Sequence, residues 1–215
     1  MRLSRRQPSS EQGDTLIEVM FAFAIFALVA VGSLTIMNQG IATAQRSLEI
    51  TLVRAQMDAQ AEAIRYIHQA YVAAYQKDGP APTGVAAEWI KMTSKTTGKG
   101  VDAASTFGQV NGPVCVTTMP TGSFVLNART AKVWDGTPAA SASDGSLPPY
   151  AQVIYHEDGS NAIDKAYGLW IEAVPSSVDA NGTGFVDFHI RSCWSGAGSS
   201  SPVTLGTIVR LYEPR

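Results

Sequence analysis

The sequence predicts an α+β protein: one long amino-terminal helix, apolar in its first half and amphipathic in its second, laid on an antiparallel β-sheet. Three observations lead there. An uncharged, largely apolar run extends from Val19 to Gln45. A proline-free stretch carrying a helical apolar stripe follows it to Gln76. Beyond Gly112 the chain breaks into short runs rich in Val, Ile, Tyr, Phe and Trp, separated by Gly, Asn, Asp, Ser and Pro. With 215 residues the chain can form one full-sized domain and an appendage, a common domain size being about 100–150 residues.

Composition narrows the function classes. Charged residues make up 16% of the chain, against roughly 25% in an average soluble protein, which suits a secreted or surface protein better than a cytosolic enzyme. The formal net charge is −2 and no basic stripe follows the first six residues, so the electrostatic footprint of a nucleic-acid binder is missing.

Residues 1–13, MRLSRRQPSSEQG, carry Arg2, Arg5 and Arg6 among polar residues and read as a cytoplasmic leader. Residues 14–39 read as a single transmembrane half-helix, because the stretch from Val19 to Met37 has no charge and at about 1.5 Å per residue covers about 28 Å, a bilayer core. Arginines before the span and Glu49, Asp58 and Glu62 beyond it place the amino terminus inside and the remainder outside. Glu18 is the anomaly. An ionised carboxylate costs about 2.5–3.5 kcal/mol at the centre of a spanning helix and less near its end, so it calls for a cationic partner. A secretory signal would be cut after its apolar part, whereas here the unusual junction, Gly13-Asp14, comes before it. Cleavage there would keep the helix on the mature protein and create an α-amine at Asp14, four residues from Glu18 on the same helical face.

The run GDTLIEV, preceded by a short basic leader ending in Gly13 and followed by VMFAFAIFALVA, resembles the amino terminus of type IV pilins and type II secretion pseudopilins, most like their minor members. The close match covers about thirty residues, and the rest is matched in layout only. The resemblance implies a lollipop fold and an inner-membrane protein, single-pass with a cytoplasmic amino terminus, that later enters a pilus or pseudopilus filament. It implies cleavage by a prepilin peptidase after Gly13, N-methylation of the new terminus at Asp14, and assembly through Glu18, which would neutralise the terminal ammonium of a neighbouring subunit. The implied partners are other pilin or pseudopilin subunits, the peptidase, an inner-membrane assembly platform and, before assembly, membrane lipid. One departure stands out: the first mature residue would be Asp14, where the family usually has Phe or Met. A carboxylate beside its own ammonium would weaken that ammonium's pull on a neighbour's Glu, which bears on both methylation and position in the filament. The plainer alternative is an uncleaved signal anchor.

Residues 40–77 continue the helix as an amphipathic half, with Val53, Met57, Ile64, Ile67 and Tyr71 in one stripe, giving a helix from Thr15 to about Gln76. Gly79-Pro80-Ala81-Pro82 ends it. Gly32 and Gly40 are either bending points or sites of close helix contact. Residues 78–113 read as a variable loop region with one apolar patch at Trp89-Ile90. Residues 114–215 read as the β-sheet domain, with strands expected at 114–118, 123–128, 150–156, 166–174, 184–194 and 203–212. Between Phe185 and Arg191, alternation sets Val186, Phe188 and Ile190 against Asp187, His189 and Arg191, as expected of a sheet with one side on the helix.

Two cysteines, Cys115 and Cys193, have neither metal nor thioredoxin spacing; the reading is a disulfide on the oxidising side of the membrane, with two buried thiols as the alternative. His68, His156 and His189 sit in unrelated contexts, and no nucleophile, phosphate-loop or zinc motif occurs, so no catalytic residue, metal or cofactor is expected. Trp89, Trp134, Trp170 and Trp194 suit core packing better than a sugar-binding surface. The stretch from Asp179 to Asp187 reproduces the first part of a calcium loop but lacks the closing Glu, position twelve being Ile190; a hairpin turn at Asn181-Gly182 explains it as well. The expectation is therefore a structural subunit that joins or initiates a filament. A second class is an adhesive or DNA-capturing pilin whose loop lies in residues 83–112 or 195–201, and a membrane-anchored enzyme is a third.

Overall fold

The computed structural model describes residues 14–95, 115, 119–140, 148–176, 184–199 and 201–214. Helix α1 (Asp14–Ala74) is one helix of 61 residues, about 90 Å at the standard rise. It contains no proline and passes through Gly32 and Gly40 as α-helix; a side chain at either glycine would meet nothing of this chain within 4 Å. The chain divides into two compact units between Ala44 and Gln45. In the first, described residues 16–44 are exposed at nearly every position, large apolar side chains included.

In the second unit the helix buries the stripe read from the sequence: Val53, Met57, Ile64 and Ile67 are in the core and Tyr71 is half-buried against it. Gln60 lies in the same stripe as a buried polar residue. Its Nε2 donates to the Leu126 carbonyl at 2.8 Å and its Oε1 accepts the Leu126 N–H at 2.8 Å, so one side chain satisfies both backbone groups of a strand residue. Gln60→Ala should cost about 1–3 kcal/mol for each group left bare, read as a lower denaturant midpoint at unchanged slope. Gln60→Glu, which cannot donate to the carbonyl when ionised, should cost more than Ala near neutral pH.

Among the described residues the strands form three antiparallel sheets. β1 (Val125–Asn127) pairs with β2 (Lys132–Trp134), β3 (Gln152–Tyr155) with β4 (Ile163–Tyr167), and β5 (Leu169–Pro175), β6 (Phe185–Trp194) and β7 (Val203–Tyr212) make the largest. Bridges at Phe124–Ile171 and Ala139–Tyr167 stitch them together. On the three-stranded sheet Ile171, Ala173, Phe188, Ile190 and Val209 share the core cluster with the helix stripe. The Ser192 hydroxyl reaches the Met57 sulfur on the same side. The α+β class and the antiparallel sheet on the helix are thus the observed arrangement.

Four local readings need correction or addition. The segment read as a variable loop holds a second helix, α2 (Val85–Ser94), which buries Ala86, Trp89 and Met92 at three-residue spacing. Its Glu88 is also buried, accepting the Val133 N–H at 2.9 Å and the Lys91 ammonium at 2.8 Å, so α2 is tied to β2. The run 166–174, read as one strand, is broken at Gly168, whose φ of 56° favours glycine and where a Cβ would stand 2.3 Å from the Cys193 carbonyl oxygen. The three-residue β2 was not anticipated. Arg191, placed on a solvated face by alternation, is buried beside Glu172. Trp89, Trp170 and Trp194 are fully enclosed and Trp134 leans on the core, as expected of structural tryptophans. Of the expected strand at 114–118 only Cys115 is among the described residues.

Candidate functional site

The first unit presents the helix on which assembly would depend. Leu16, Phe21, Phe23, Phe26 and Leu28 are each about two-thirds or more exposed, an apolar surface far beyond scattered surface residues. Among the described residues this is the one helix long and apolar enough to cross a membrane. Glu18 is exposed near its start, one turn after Asp14, and helix α1 carries no Lys, Arg or His before Arg46. Any counter-charge for Glu18 inside a membrane or filament must therefore come from the chain's own terminus or from another molecule. Gly13, read from the sequence as the cleavage position, lies outside the described residues.

With this geometry in place, the comparison that decides the reading is a family one: residues 9–34 match the model described as the prokaryotic N-terminal methylation motif. The chain carries a prepilin-type signal. That signal, found on type IV pilins and pseudopilins, opens the same helix that is exposed and apolar here, and the two together fit a membrane-anchored pilin-type protein. No curated protein and no solved structure matches the chain.

Cys115 and Cys193 form a disulfide with their Cα atoms 5.7 Å apart, and Trp170 is enclosed beside it. On the same side of the three-stranded sheet Arg191 Nε lies 3.2 Å from Glu172 Oε2, both residues buried. Burial pushes the Arg191 guanidinium below its ordinary pKa, and the Glu172 carboxylate pulls it back up. Further along, Arg210 grips Asp187 with two hydrogen bonds of 2.8 and 2.7 Å and lies over the Phe185 ring. Those bonds raise the guanidinium pKa.

These contacts bear on the other sites read from the pilin-type sequence. Residues 179–183 of the calcium-like stretch lie outside the described residues, but the Asp187 carboxylate is occupied at both oxygens by Arg210. Among the described residues no three His, Cys, Asp or Glu side chains are grouped to hold a metal. His68 bonds the Tyr212 carbonyl at 2.8 Å and stands against the Trp89 ring. His156 leads into the β3–β4 turn, and His189 is on β6. Of the loops considered for adhesion, residues 85–94 are α2, and residues 195–199 are fastened to the helix through Glu49, a residue that periodicity alone did not pick out.

Proposed function

We propose that this chain is a structural subunit, a minor pilin or minor pseudopilin, that joins or initiates a type IV pilus or a type II secretion-like filament. It inserts in the inner membrane with its amino terminus cytoplasmic, is cut between Gly13 and Asp14 by a prepilin peptidase, and assembles through its amino-terminal helix. There Glu18 takes the terminal ammonium of a neighbouring subunit as its counter-ion. The supporting observation is the coincidence of the methylation motif at residues 9–34 with an exposed apolar helix beginning at Asp14. A motif of this kind belongs with structural subunits rather than with known enzymes.

Mass spectrometry of the mature membrane protein should find Asp14 at its amino terminus. Protein beginning at Met1 in cells with an active prepilin peptidase would overturn the reading. Gly13→Val should leave the chain uncleaved, because a β-branched side chain restricts the scissile backbone and fills the space glycine leaves.

A further inference from the structure

Glu49 is the first buried residue among the described positions of α1, 8% exposed, and the next is Val53. Burying a carboxylate is costly unless hydrogen bonds compensate it, and here they come from one place. The Trp194 indole donates to Glu49 Oε2 at 3.1 Å, and the Ala197 N–H is shared between both carboxylate oxygens at 3.3 Å. The donors sit at the end of β6 and in the residues just after it. Gly196 lets that loop come close, since a Cβ there would stand 2.7 Å from Val203 Cγ2 and 3.5 Å from Glu49 Oε2. The turn closes on itself through Ser199 N–H to the Gly196 carbonyl at 3.2 Å. The other side chains of this part of the helix give little anchorage: Leu48 is 60% and Leu52 37% exposed, and Ile50 is only partly covered.

We propose that residues 195–199 are a strap closed on Glu49, and that opening it releases helix residues 45–52 from the sheet while the core from Val53 onward stays folded. Residues held by few apolar contacts and one polar anchor form the low-stability end of a structure. In a filament subunit, and resting on that reading, release would lengthen by about two turns the helix that a partner subunit's helix can reach.

The test uses the full-length chain in detergent micelles, read by hydrogen exchange and by arginine-specific proteolysis. Glu49→Ala should speed exchange of residues 46–53 at least tenfold and cleavage at Arg46 by a similar factor, leaving residues 57–71 and strands β5 to β7 as in the parent chain. Trp194→Phe, which removes the indole donor, should speed exchange in the same window by a smaller factor. Glu49→Gln, which keeps an acceptor oxygen, should stay near the parent. Acceleration spread evenly over the unit would show a general loss of stability, and no acceleration at 46–53 would show that Glu49 holds nothing; either overturns the strap. A chain that still begins at Asp14 with an unchanged exchange pattern would remove the strap and leave the filament reading standing.

Discussion

Glu18→Ala should insert, be processed and fold as the parent chain does, yet be absent from filaments. The carboxylate lies near the start of a helix whose described positions up to Arg46 carry no cation. Its removal lowers the chain's own insertion cost, so a residue kept for insertion or folding would give no assembly defect. If Glu18 instead neutralises a neighbour's terminal ammonium, the substitution leaves that ammonium buried and unpaired, at a cost on the order of 3–5 kcal/mol. That corresponds to roughly a hundredfold or greater loss of incorporation. A tagged subunit counted per sheared filament measures it, with cleavage at Gly13 checked in the same cells. Normal incorporation would sink the pairing. Asp14 adds a second arm. Its carboxylate is covalently close to the amine that cleavage would create, so it competes with any neighbour's Glu for that charge. Asp14→Phe should leave cleavage intact and raise the number of copies per filament, and an unchanged count would remove the competition argument alone.

What the sequence disclosed, and what it hid, follows from the range of the interactions involved. Helix α1 was legible because its signals are local and long: an uncharged apolar run, then a stripe through Val53, Met57, Ile64 and Ile67, with no proline between Asp14 and Pro80. β7 was legible to the residue for the same reason, a β-branched run bounded by Ser-Pro and Glu-Pro. Helix α2 was not, since ten residues behind the breakers at residues 79–84 give barely three turns of periodicity. The break at Gly168 was hidden because a lone glycine in a strand-like run signals equally a weak strand position or a turn, and the choice depends on the distant Cys193 carbonyl. Glu172 with Arg191, Glu49 with Trp194 and Gln60 with Leu126 are pairings between residues far apart in sequence. Alternation can assign each side chain a face, but burial of that face is set by whatever part of the chain covers it. At the start of the amino-terminal helix the reverse holds: the run that matches the methylation motif is contiguous, so the sequence alone exposed it.

Breaking the disulfide should destabilise the second unit more than any single core truncation of ordinary size. Cys115 and Cys193 are 78 positions apart, and in the chain-entropy account a loop of that length contributes about 4–5 kcal/mol by restricting the unfolded chain. Cys115→Ala is the cleaner variant. It leaves the Cys193 thiol in its buried site, where free cysteine behaves as a small apolar residue, so the loss reports the cross-link rather than a new buried polar group. For a unit of this size, 1 kcal/mol moves the thermal midpoint by about 2–4 °C, which predicts a fall on the order of 10–15 °C. The bond joins Cys115, ahead of β1 in the chain, to the end of β6, and Trp170 is enclosed against it, so the loss should also register in tryptophan fluorescence. Membrane insertion should not change, because the exposed apolar helix of the first unit is formed by local hydrogen bonds within one helix. Reducing agent applied to the parent chain should reproduce the lower midpoint and have no effect on Cys115→Ala. Two alkylatable thiols in native exported protein, or a midpoint that moves by less than about 3 °C, would show that the bridge does not hold the unit together.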